Sequence, residues 1–74
     1  MDVSNFSDAC ITILGTSSIC IENYRGILEY TCESLIVLTK CSKIKILGKN
    51  LSISYYSRDE MNVTGNISQI FFEK

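Results

Sequence analysis

The residues of this chain best suited to chemistry are four cysteines and three neighbouring carboxylates. Cys10, Cys20, Cys32 and Cys41 stand 10, 12 and 9 positions apart, without the paired C-x-x-C knuckles through which one turn presents two thiolates to a metal. That spacing points to small, semi-buried apolar side chains on strands, with cytosolic thiol-based metal or redox chemistry as the alternative. Glu22, Glu29 and Glu33 lie close in sequence, and two of them brought together across a hairpin would form an acid/base pair. Carboxylates on the solvated side of a strand account for them more simply. The chain has no His, so the usual general base and the commonest neutral metal ligand are both missing. We therefore expect no enzyme: no catalytic residue, metal, cofactor or small-molecule substrate.

Tyr24, Tyr30, Tyr55 and Tyr56, with Lys and Arg nearby, suggest base stacking of the kind used by oligonucleotide-binding barrels. Charge argues against it. Seven Lys+Arg are set against eight Asp+Glu, for a formal charge of −1, and such a balance provides no field for gathering phosphates. Nucleic acid is not an expected partner. The sequons at Asn5, Asn50, Asn62 and Asn66 have meaning only in a secreted chain. The N-terminal Met1-Asp2-Val3-Ser4 lacks the basic start and apolar stretch of a secretory signal, and no apolar run is long enough for a membrane-spanning helix. The expected location is the cytoplasm, with the cysteines as thiols.

The elements that position these residues follow from the hydropathy pattern. The 74 residues are 46 % apolar, too apolar and too weakly charged for a disordered tail. They suffice for one domain, which at this size buries roughly 60 % of its unfolded surface. Residues 1–9 show no sustained period and read as a flexible lead-in, leaving 10–74 as a single β domain. From Cys10 a two-residue period takes over, with Ile11 and Ile13, then Ile19 and Ile21, alternating with smaller or polar residues. Gly15 to Ser18 make the connection of a first hairpin, and Asn23 to Gly26 a turn or bulge with Gly26 available for positive φ. Strands follow over 27–31, 35–39, 43–47, 51–55, 61–64 and 67–72, with turns at Gly48-Lys49-Asn50 and Gly65-Asn66. Ser57 to Glu60 has the form of a capping box and is open to a single helical turn, although strand alternation resumes directly after it. The expectation is an all-β antiparallel meander of about eight short strands, sandwich-like or a partly open barrel. Ile11 to Gly15 is echoed by Ile44 to Gly48, which without a fixed period does not establish a repeat.

Alternation assigns Ile13, Ile21, Leu28, Leu35, Val37, Ile44, Ile46, Leu51, Ile53, Val63 and Ile67 to one core. It sends Leu14, Ile36, Leu38, Leu47, Tyr56 and one of Phe71 or Phe72, taken as Phe71, to the other face. A contiguous apolar patch of this kind marks a contact surface, unless bulges fold the sheet so that the chain covers both faces itself. With the Tyr24 and Arg25 turn, these residues are the candidate interaction surface. Lys43, Lys45 and Lys49 read as edge guards, and a homo-oligomer is the expected state.

The segment Ile21-Glu22-Asn23-Tyr24-Arg25-Gly26-Ile27-Leu28-Glu29-Tyr30, together with Ile44 to Ile53 and Val63 to Ile67, resembles the YabP/YqfC sporulation-protein family, and its YqfC branch most. The similarity covers about residues 11–72. It implies a small protein of the mother cell of an endospore-forming Firmicute, needed for spore formation beside a membrane protein encoded with it. It implies no catalytic activity, and Cys20, Cys32 and Cys41 are not part of the pattern. Together with the surplus apolar face, it suggests an assembly or scaffolding part, cytoplasmic and peripheral at the forespore outer membrane.

Overall fold

The computed structural model describes residues 9–40 and 42–73. The proposed lead-in before Ala9, the sequon at Asn5 and Cys41 lie outside them. The described chain forms six strands: β1 (Cys10–Leu14), β2 (Ser18–Glu22), β3 (Gly26–Tyr30), β4 (Ser34–Leu38), β5 (Lys43–Tyr56) and β6 (Glu60–Glu73). They make one antiparallel sheet in the order β1-β2-β6-β5-β4-β3, with β1 and β3 at its two ends, so the sheet is not closed into a barrel. The all-β antiparallel expectation holds.

The strand count is six rather than eight because two of the expected turns are kinks within continuous strands. At Gly48 to Asn50 and again at Gly65-Asn66 the chain changes direction without breaking the β5–β6 ladder, and register shifts there absorb the bend. Each long strand consequently serves two half-sheets. The first contains β1, β2, the start of β6 and the end of β5; the second contains β3, β4, the start of β5 and the end of β6. The kinks fold one half over the other, and the core forms between them from Ile19, Ile21, Met61 and Val63 on one side and Leu35, Val37, Ile44 and Ile46 on the other.

The two halves repeat one another. Ile19 and Ile21 of β2 are matched sixteen positions later by Leu35 and Val37 of β4, with the same burial pattern along both strands. The hairpin tips act alike as well. Thr16 and Ser17 accept backbone hydrogen bonds from Ile67 (2.9 Å) and Gly65 (3.2 Å), while Cys32 and Glu33 accept them from Leu51 (2.8 Å) and Gly48 (3.1 Å). Each tip thus supplies the partners that its kink would otherwise leave unsatisfied. The echo of Ile11 to Gly15 in Ile44 to Gly48 is a different matter, since it pairs an edge strand with a central one.

The turns are closed by side chains. Ser57 N–H and Oγ both donate to the Glu60 carbonyl, at 2.8 and 3.2 Å, so Ser57 to Glu60 is the β5–β6 hairpin turn and not a helical one. Thr31 Oγ1 accepts from the N–H groups of Glu33 and Ser34. Between β2 and β3 the positive φ falls on Asn23 (66°), not Gly26.

Candidate protein-interaction surface

The sheet register decides which of the expected surface residues come together. Residues directly opposite in antiparallel strands share a face. On the outer side of the second half-sheet this gives the rows Leu38–Lys43–Glu73, Ile36–Lys45–Phe71 and Ser34–Leu47–Gln69. Ile36, Leu38, Leu47 and Phe71 therefore form one apolar group, spaced by the Lys43 and Lys45 stems, which can cover apolar neighbours while their ammonium groups stay in water. Leu38 is 36 % and Phe71 42 % exposed, whereas Ile36 and Leu47 are half-buried. Arg25 adjoins this group, since its N–H donates to the Leu38 carbonyl at 2.7 Å.

The other three candidates lie apart. Leu14 is exposed on the outer side of the first half-sheet, opposite Ser18 in a largely polar setting. Tyr56 pairs with buried Met61 and packs at a tilt on Tyr24, with ring centroids 6.3 Å apart. Tyr24 itself is only 7 % exposed, part of the core, and its hydroxyl donates to the Ser57 carbonyl. Burial, followed by the neighbouring Tyr56, raises its pKa above the ordinary 10.0.

Two residues assigned to the core from sequence are exposed. Ile13 points to the core side, opposite buried Ile19, but it lies on an edge strand and is left exposed by the described residues; Leu28 is the extra residue of a bulge in β3. In their place the core takes Ile19, Met61 and Tyr24, while Ile53 and Ile67 are half-buried against it. Tyr55, which alternation aligned with Leu51 and Ile53, and Phe72, the alternative to Phe71, are further exposed aromatics. Phe72 stands opposite buried Ile44, on the core side of a margin.

The chemistry-bearing side chains do not gather into one site: Cys10, Glu22 and Glu60 lie opposite one another in neighbouring strands beside Cys20, while Glu29 lies in β3 and Cys32 and Glu33 in the β3–β4 turn. Cys10 and Cys32 are exposed and Cys20 is half-buried, with its Sγ 3.7 Å from Glu60 Oε2. Burial first, then the Glu60 and Glu22 charges, hold the Cys20 thiol above its ordinary value of 9.0, which lowers its thiolate fraction. Glu22 and Glu29 belong to strands in different half-sheets and Glu33 to the β3–β4 turn, so no hairpin pairs them. Among the described residues no three His, Cys, Asp or Glu side chains are grouped to hold a metal, and no helix is long and apolar enough to cross a membrane.

No curated protein and no solved structure matches the chain significantly. A family model does match it, over residues 5–74, which takes in all six strands and both kinks. By that match the chain belongs to the YabP family.

Proposed function

We propose that the chain is a non-enzymatic component of endospore formation, acting as an assembly or scaffolding part through self-association or docking to a membrane partner. Its place would be the mother-cell cytoplasm of an endospore-forming Firmicute, peripheral at the forespore outer membrane. The observation that carries this reading is the outer face of the second half-sheet, where Ile36, Leu38, Leu47 and Phe71 share one face beside Arg25. Apolar side chains held together in water by a fold this small are typical of contact surfaces. Family membership supports the sporulation context, and the YqfC-like character of Ile21 to Tyr30 suggests the branch.

The test is a chromosomal Leu38→Glu, Phe71→Glu double variant, assayed for heat-resistant spores and for proteins co-purified from sporulating cells. Both side chains are partly exposed, so folding should survive, as checked by circular dichroism. Heat-resistant spores should fall at least about tenfold and a membrane protein should be lost from the co-purified set. Wild-type spore counts with an unchanged set of partners would overturn the reading.

A further inference from the structure

The two seams between the half-sheets are built differently. At one, β3 meets the end of β5, and Tyr30 bridges them by accepting the Ile53 N–H at 3.1 Å. At the other, β1 faces the part of β6 after its kink. There the position equivalent to Tyr30 is Ile13, since Tyr30 is opposite Leu35 and Ile13 opposite Ile19. Isoleucine has neither the reach nor a polar atom to bridge. A shallow groove of about 220 Å³ remains, lined by Ile13, Thr16, Ile67 and Ile70 among others, and Ile13 stays 54 % and Phe72 65 % exposed along this side.

The margins also differ in protection. β3 is bulged at Leu28 and carries Glu29, the end of β5 is bulged at Ser54, and the end of β6 follows a bulge at Ser68 and closes on Glu73. Charges and bulges are what keep an edge from pairing with another chain. β1 has neither: Cys10-Ile11-Thr12-Ile13-Leu14 pairs with β2 in unbroken register and contains no charged residue.

We propose that β1 is a dimerisation edge, to which β1 of a second copy adds antiparallel about a two-fold axis at Thr12. That register sets Ile11 against Ile13 of the second copy, Cys10 against its Leu14 and Thr12 against its Thr12, so one uncharged sequence complements itself. With the axis perpendicular to the sheet, both core sides fall on the same side of the joined sheet. Ile13 and Phe72 of each copy then line a shared apolar seam over the groove. A second copy fits better than an unrelated strand because this pairing buries no charge from either side. The edge is separate from the outer face proposed above, so the two are tested apart.

The experiment uses the full chain in four forms: wild type, Ile13→Lys, Thr12→Cys and Leu38→Glu. Sedimentation velocity should show a wild-type dimer, and Ile13→Lys should raise its dissociation constant about tenfold or more by placing a charge in the seam. Under mild oxidation Thr12→Cys should give a covalent dimer whose disulfide maps between the two introduced thiols. Cys10 should not link to its counterpart, about 14 Å away in this register and beyond disulfide reach. If Ile13→Lys fails to fold, the mapped cross-link decides. A monomeric wild type overturns the proposal, as does a dimer that survives Ile13→Lys and gives no cross-link at position 12. A dimer lost instead in Leu38→Glu overturns the β1 edge while supporting the outer face.

Discussion

Gly48 and Gly65 hold reciprocal positions where β5 and β6 bend. A Cβ on Gly48 would overlap the Asn66 carbonyl oxygen, and one on Gly65 would stand 2.6 Å from the Asn50 carbonyl oxygen, so each glycine leaves room for the backbone just beyond its counterpart. Gly65 also has a φ of 139°, which side-chain-bearing residues rarely adopt. The obstacle in both cases is backbone, which cannot swing aside. This pair is what lets two 14-residue strands fold one half-sheet over the other without losing their ladder.

Gly48→Ala and Gly65→Ala should each destabilise the fold by about 2–3 kcal/mol, because the clash forces the kink open. Gly26→Ala is the control. A Cβ there meets nothing within 4 Å and the φ is not positive, so its effect should be neutral or stabilising by about 0.4–1 kcal/mol. Urea midpoints at constant m would measure all three.

Tyr24→Phe should cost about 1 kcal/mol, since the ring still fills the core but the Ser57 carbonyl loses its donor. Tyr24→Ala should cost about 3–5 kcal/mol through the cavity it leaves. A difference of this size in thermal or urea unfolding would separate the two contributions of the side chain.

Tyr30→Phe removes the hydrogen bond from the Ile53 N–H across the β3–β5 seam while leaving the ring in place. The Ile53 amide should then exchange its hydrogen about five times faster, equivalent to about 1 kcal/mol of local protection. The core amides of Ile44 and Ile46 should be unaffected. Site-resolved hydrogen exchange reads both in one experiment.

Stability should decline in alkali. Cys20 and Tyr24 both have folded pKa values above their ordinary 9.0 and 10.0, so the folded state holds their protons more tightly than the unfolded one. Their contribution is complete below pH 9, and it is lost as pH rises through the two folded values. Tyr24→Phe should remove the share of the decline that Tyr24 contributes. Glu60→Gln should lower the Cys20 value and speed its alkylation at pH 8, and in the wild type Cys20 should react more slowly than exposed Cys10 and Cys32. Urea titrations across pH and mass-resolved thiol labelling test these outcomes.

The amino-acid sequence by itself determined the local matters. The alternation of Ile19 and Ile21 with Ser18, Cys20 and Glu22, and of Leu35 and Val37 with Ser34 and Ile36, specified strands and the side to which each residue points, because side chains along a strand alternate between faces. It also sent Ile36, Leu38, Leu47 and Phe71 to one side of the sheet. Tertiary structure alone decided whether anything lay over that side. Ile13 and Ile19 have the same local pattern, yet one is exposed and the other buried, because β1 ends the sheet and β2 does not. Gly48 and Gly65 read locally as turns, and only the pairing of β5 with β6 makes them kinks. Tyr24 sits among turn residues and is drawn into the core by a carbonyl 33 positions away. Local spacing fixes direction, but covering depends on strands far apart in the chain, and no short window of sequence contains both partners.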